Sequence, residues 1–367
     1  MLICMGGLHG NEPAGVFALR RVFQALVGRE REVHGSFVAL SGNGRSLACN
    51  KRYIDHDLNR IWTRQRVAEL RETRQPVGSE EQELLEIDSV LAEIVPTARG
   101  PVSFIDLHST SGGGPSFSLL DDTLANRRLA FCLPVTHVLG LEEELAGTYL
   151  GFLNDQGYAA TGYECGQHSD PASIDRAEAA VWVFLEGAGV LPEGVFAEVA
   201  AAHAYLKAES ASLPDVVEVR YRHHISPGDE FVMRPGFGNF QVVTRGQTLA
   251  DSSLGEVSAW IPGMVLMPLY QSQGEDGFFI VRSVHLFWLW LSMVMRRLRA
   301  ERFMHRFPGV CEDPEHPGQL LVDTGRARWL ALQLFHLLGF RRHKGRNHTL
   351  RMSRRVDTPP SGGGYAA

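Results

Sequence analysis

GGLHGNEPAG, residues 6–15, lies between the apolar run Leu2-Ile3-Cys4-Met5 and a helix-like run from Ala14 to Leu26. An apolar run, a glycine-crowded polar turn and then an apolar period of 3–4 residues mark a buried strand handing over to a helix. In α/β proteins such turns collect at the carboxyl ends of parallel strands, where ligands bind. His9 and Glu12 sit three apart in this turn. An imidazole and a carboxylate so placed can hold a metal or move a proton. Equally, Asn11 or Glu12 can serve the N-terminus of the helix that follows.

The same alternation runs on to about residue 208. It predicts strands at Met1–Met5, Ser36–Leu40, Val102–Leu107, more weakly near Leu129–Leu133, and at Tyr158–Glu164. Helices fit Pro13–Leu26, Ser79–Ile94, Glu142–Asp155, Asp175–Leu185 and Phe196–Ala208. Strands alternating with helices give an α/β fold, a mainly parallel mixed sheet flanked by helices. From Asp215 to about Arg282 short β-like pieces are punctuated by Gly and Pro, which reads as a smaller all-β domain. Helix-like runs return at Val284–Arg302 and Arg326–Leu338, and the end, TPPSGGGYAA, has the composition of a disordered tail. The expected division is 1–208 catalytic α/β domain, 209–285 small β domain, 286–356 basic helical C-terminal extension and 357–367 tail.

The chain has 367 residues, 44% of them hydrophobic, and a net charge of −6, so composition gives no general nucleic-acid signature. The average conceals an asymmetry. Between Arg296 and Arg355 stand 14 Lys+Arg against 5 Asp+Glu, about +9, which leaves about −15 for the remainder. Five scattered cysteines suit a reduced setting better than a disulfide framework, and no leader-like segment opens the chain, so a cytoplasmic location is expected. The longest apolar run, Val284 to Met295, falls short of the roughly 20 residues of a spanning helix.

Three further stretches carry chemistry. FIDLHSTSGGG, residues 104–114, places His108 at the end of a hydrophobic strand, the same situation as His9. If both strands share one parallel sheet, His9, Glu12 and His108 converge on one ion. Two imidazoles and a carboxylate with a fourth position open are the usual ligand set of a catalytic zinc. Asp106, two residues before His108 on the same strand face, can accept from that imidazole or touch substrate. KRYIDHDLNR, residues 51–60, packs Arg52 and Arg60 with Asn59, Asp55 and Asp57 and shows no helical or strand period. It reads as a surface loop of paired charges or, beside a metal, as a source of guanidinium donors for an acyl oxygen or a carboxylate. His56 is expected to face solvent. GYECGQH, residues 162–168, ends a strand on Glu164, a costly place for a carboxylate unless it faces the same polar edge as the metal. There it can relay a proton.

GGLHGNE, RYIDHDLNR, DLHSTSGGG and ECGQH, in this order, resemble the succinylglutamate desuccinylase/aspartoacylase family of the zinc carboxypeptidase superfamily, over about residues 1–285. The resemblance implies one Zn2+ per chain on His9, Glu12 and His108. It implies a zinc-bound water as nucleophile, Glu164 as general acid/base and Arg52 polarising the scissile carbonyl. Asn59 and Arg60 would bind substrate, and Asp57 is expected to bind it with them. The reaction implied is hydrolysis of an N-acyl amino acid or related small amide, with no nucleic-acid partner and a possible homo-oligomer. Two rivals remain, a metallocarboxypeptidase acting on peptides and a non-catalytic zinc-binding protein that works through its basic C-terminal segment.

The sequence departs from the family pattern at three places. Aspartoacylases carry an arginine about ten residues before the catalytic glutamate, whereas Asn154 stands near that position here. Family members usually have a few dozen residues ahead of the first zinc motif, whereas one short strand precedes His9. Residues 286–356 have no assignable counterpart. Within them VHLFWLWLSMVMRRLRAERF, residues 284–303, reads first as a helix buried against the catalytic domain or a second subunit. A membrane-surface contact comes next, and nucleic-acid binding by RRHKGRNHTLRMSRR, residues 341–355, last.

Overall fold

In the computed structural model, residues 1–307, 309–314, 316, 319–323, 335–343, 349–355 and 365 are described. The apolar runs form strands β1 (Leu2–Gly6), β2 (Phe37–Ser41), β3 (Ser103–Thr110), β4 (Phe117–Leu120), β5 (Thr136–Leu139), β6 (Ala159–Gln167) and β7 (Val216–His224). β1 pairs in parallel with β2 and β3, and β3 with β6; β4 runs antiparallel to β6, and parallel pairing resumes through β5 to β7. Helices α1 (Ala14–Leu26), α2 (Gly44–Cys49), α3 (Arg64–Thr73), α4 (Ser79–Ile94), α5 (Leu124–Ala130), α6 (Tyr149–Asp155), α7 (Ala172–Gly187) and α8 (Ala197–Ser210) accompany them.

Alternate residues of each strand feed opposite cores. Leu2, Cys4, Ile105, Leu107, Tyr163 and Cys165 pack under α1, α7 and α8. Ile3, Met5, Phe104 and Ala160 pack under α3, α4 and α6 with Trp62 and Leu84. Each leucine, isoleucine, methionine or phenylalanine among them contributes roughly 1.5–3 kcal/mol of burial. The fold is therefore the expected mainly parallel sheet with helices on both faces. Gly15 sets how close α1 comes to it. A Cβ there would lie 2.7 Å from Cβ of Leu107 and 3.2 Å from Cα of Gly6, so any side chain would push the first turn of α1 off the sheet.

Several elements differ from expectation. The weak strand expected near Leu129–Leu133 is instead the end of α5 and the turn that follows it; the start of α5 is set by Thr123 accepting from the Asn126 amide at 3.0 Å, and the strand comes later as β5. The helix expected over Glu142–Asp155 breaks in two: a 3-10 turn at Leu141–Glu143, then α6, capped by Thr148. Between them Gly147 has φ +68° and lies so close to the Arg60 carbonyl that a Cβ would clash with it. The later β pieces, β8 (Val232–Met233), β9 (Val242–Val243), β10 (Thr248–Ser252), β11 (Gly255–Ser258), β12 (Gly263–Leu266) and β13 (Asp276–Ser283), do not all stand apart. β13, β12 and β9 extend the main sheet antiparallel from β7, giving ten strands, and only β11-β10-β8 form a separate small sheet.

The extension opens with helix α9 (Leu286–Arg297) and a 3-10 turn, Ala300–Arg306, but then becomes a sheet. Strands β14 (Val310–Glu312), β15 (Gln319–Asp323), β16 (Phe340–His343) and β17 (Thr349–Arg354) pair antiparallel in the order β14-β15-β17-β16. Alternation of Leu350 and Met352 with Arg351 and Ser353 is the strand signal there, masked by the basic composition. α9 buries Leu289, Ser292 and Arg296, while Phe287, Trp288 and Trp290 are about half exposed, so only one edge of it is covered. The helix expected at Arg326–Leu338 lies largely outside the described residues. So does the tail, apart from Tyr365, which is buried.

Candidate active site

The parallel pairing places the ends of β1, β3 and β6 along one edge of the sheet. His108 and Glu164 are register partners on β3 and β6, and the turn after β1 brings His9 and Glu12 to the same edge. His9 Nδ1 lies 3.0 Å from Glu12 Oε1, and His108 Nδ1 lies 3.0 Å from Glu12 Oε2. The Ser109 amide also donates to Glu12 Oε2 at 3.0 Å. Glu12 therefore does not cap α1: Pro13 stands at that position and no side chain bonds the helix end.

Each imidazole has a carboxylate on its other nitrogen. His9 Nε2 meets Asp57 Oδ1 at 3.1 Å and His108 Nε2 meets Asp106 Oδ2 at 2.7 Å. A carboxylate behind a ligating histidine fixes its tautomer and orientation and raises its basicity. Donor atoms of His9, Glu12 and His108 all lie within 4.8 Å of one another, and all three residues are buried. Burial alone would push the Glu12 carboxyl up, but the adjoining His9 and His108 hold it well below the usual carboxylate range, so it is ionised. Two oriented imidazoles and an ionised carboxylate fit a zinc ion in chemistry and in spacing.

Glu164 is buried, and its Oε2 has no hydrogen-bond partner among the described residues. Burial pushes its carboxyl up to about 8; His108 opposes this and Glu12 adds to it. Arg52 lies beside the cluster, donating to Asp57 Oδ2 through Nε at 3.2 Å and Nη2 at 3.0 Å and approaching Glu12 Oε1 at 3.4 Å. Asp57 is thus turned away from the role expected of it. It orients His9 and Arg52, caps the 3-10 turn Leu58–Arg60 by accepting from the Asn59 amide at 2.8 Å, and does not line the cleft. Asn59 and Arg60 do line it. Asn59 Oδ1 accepts from the Tyr149 amide at 2.9 Å, and Arg60 pairs with Asp276 at 3.0 Å. His56 is exposed, as expected.

The cleft beside this cluster has a largely apolar wall of Leu119, Leu141, Leu145, Leu150, Met267 and Phe279. The loop position of His168 gives it no signal of its own in the sequence. His168 lines the cleft, 2.7 Å from Ser109 Oγ and 3.1 Å from Gln271 Oε1. Asp276 and Gln271 also escaped notice, because their contacts join segments more than 100 residues apart. Asn154 is buried at the cleft with its Oδ1 accepting from Asn126 at 2.8 Å.

A strand-edge cluster of this kind on a mainly parallel sheet defines a candidate metallohydrolase centre. Residues 1–180 match the succinylglutamate desuccinylase/aspartoacylase catalytic domain, which assigns this segment, just under half of the chain, to that family. A probable aspartoacylase of Parasynechococcus marenigrum is 31% identical over 169 residues, 42% of this chain and 49% of its own length. A human N-acyl-aromatic-L-amino acid amidohydrolase (carboxylate-forming) is 38% identical over 58 residues, 16% of this chain and 18% of its own. The chain thus spans about half the length of the first and less of the second. The crystal structure of a succinylglutamate desuccinylase/aspartoacylase from Rhodobacter sphaeroides covers 77% of this chain and 86% of its own, with a TM-score of 0.55 at 17% identity, which establishes a shared fold. Among the described residues no helix is long and apolar enough to cross a membrane.

Proposed function

We propose that the protein is a zinc-dependent amidohydrolase that cleaves the amide of an N-acyl amino acid or a related small amide. The observation that carries this reading is the set His9, Glu12 and His108, each imidazole backed by a carboxylate, with Glu164, whose Oε2 has no hydrogen-bond partner among the described residues, on the strand neighbouring that of His108. Bound on those three residues, zinc would supply Lewis acidity toward the acyl oxygen and lower the proton affinity of nearby water and of Glu164. Glu164 takes the proton of the attacking water as the new C–O bond forms. It returns that proton to the nitrogen as the C–N bond breaks, and a carboxylate and an amine leave. Arg52, fixed by Asp57, donates to the acyl oxygen as negative charge gathers on it. Arg60 and Asn59 hold the carboxylate of the amino-acid half.

The leucine-rich wall and the absence of a cation at Asn154 favour an apolar variable group over an aspartate side chain. The test is a panel of N-acetyl and longer N-acyl amino acids, apolar and acidic, with short peptides beside them, run on zinc-loaded protein of measured metal content. Fastest turnover of apolar N-acyl amino acids supports the proposal. Turnover of peptides alone would move the assignment to a metallocarboxypeptidase, and stoichiometric zinc with no turnover to a binding protein.

A further inference from the structure

Asp121, which follows β4, and Glu142, in the 3-10 turn after β5, both line the cleft. Around them stand Asp122, Glu143 and Glu144. Among the described residues of segment 1–285, these side chains have one ion-pair partner, Arg127 on Asp122. The extension supplies the others. Arg355 reaches Asp121 Oδ1 at 2.5 Å, Glu142 Oε1 at 2.7 Å and Glu143 Oε1 at 2.8 Å, with its side chain only 4% exposed. Arg341 meets Asp121 Oδ2 at 2.5 Å, Arg342 meets Glu144 at 2.7 Å, and Arg296 meets Asp122 at 2.7 Å. The positive charge concentrated between Arg296 and Arg355 is thus spent in part inside the molecule, on one acidic wall.

We infer that the extension completes the substrate cleft, Arg355 and Arg341 being positioning residues that cancel the charge of Asp121 and Glu142 so that an anionic ligand can enter. The inference rests on the N-acyl amino acid reading for the identity of that anion. A carboxylate entering a cleft walled by uncompensated carboxylates meets like-charge repulsion at short range and low dielectric. Arg355 touches neither the metal cluster nor Glu164, so its loss acts on ligand entry and leaves the chemical step alone.

The experiment uses full-length zinc-loaded protein at pH 8, with N-acetylleucine as the anion and N-acetylleucine amide as its uncharged counterpart. In Arg355→Gln the KM for the anion should rise roughly tenfold at low salt. That rise should shrink at about 0.5 M salt, with kcat and zinc content unchanged, and binding of the amide should not move. Should Arg355→Gln not fold, Arg341→Gln gives a smaller rise, and Glu142→Gln, which removes a negative charge, lowers the KM. An equal effect on anion and amide, or no effect of any of the three on the anion, overturns the inference. Calorimetric titration of both compounds makes the same comparison without turnover. A wild type that binds the anion but hydrolyses nothing, with the Arg355→Gln difference intact, overturns the proposed activity and leaves the inference standing.

Discussion

Replacing Glu164 with glutamine should make the metal-free protein more stable near pH 8, while removing the group proposed to move the proton. The Glu164 carboxyl is buried and pushed from 4.5 up to about 8. Between those values the folded chain holds a proton that the unfolded chain has released, so stability falls as pH rises through the interval. At about 1.4 kcal/mol per pH unit the whole interval is worth an upper bound of roughly 5 kcal/mol. Glutamine keeps the shape and carries no charge to desolvate, so its curve should lack that slope. Urea unfolding from pH 5 to 8.5 with a chelator present, on wild type and Glu164→Gln, reads the difference through the midpoint at constant m. The two proteins should be close in stability at pH 5 and separate by several kcal/mol at pH 8. Parallel curves would refute the argument that Glu164 is a strained, desolvated acid. With zinc restored, the same substitution should lower kcat by roughly 10²–10⁴-fold.

Asp106→Asn should leave all three candidate metal ligands in place yet weaken zinc affinity by roughly 10–100-fold, measured by competition with a chromophoric chelator; unchanged affinity would show that the 2.7 Å contact to His108 does not tune it. His336 lies 3.4 Å from Glu143 and 3.5 Å from Glu218. Despite burial, which lowers it, its imidazole is raised from 6.5 to about 9 by these partners. Its contribution is therefore full below pH 6.5 and lost as pH climbs through 9, at most about 3 kcal/mol; thermal melts of wild type and His336→Asn should converge above pH 9. Tyr365 donates to Asp88 at 2.9 Å and packs with Phe152 and Tyr158, so Tyr365→Ala should lower stability by about 2–4 kcal/mol in urea titration.

The strand–turn–helix opening and the three metal-binding candidates were legible because their signals are local: an apolar run, a glycine turn and a strand-end histidine. What escaped depends on contacts across the chain. Nothing near residue 129 announces that Thr123 will cap a helix in place of a strand, and nothing in the 142–155 run announces that the Arg60 carbonyl will stand against Gly147 where the expected helix breaks. Asp57 sits in a motif that reads as substrate-facing, but its direction is set by His9 and Arg52. The same limit applies to the basic segment. Its charge was visible, and its internal partners, Asp121 and Glu142, were not, since they lie some 200 residues earlier.

The order in which the chain supplies the site has a consequence for biogenesis. His9, Glu12, His108 and Glu164 are all present once residue 168 has been made, whereas Met267, Phe279 and Arg355 come later. β1 must also wait for β3, and the Glu12–His108 contact closes a loop across 96 positions, a slow and entropically unfavourable step. A divalent ion taken up by the emerging chain would clip that loop shut before the leucine-lined wall exists. Metal supply during translation, and not only in the finished protein, would then govern the yield of native protein.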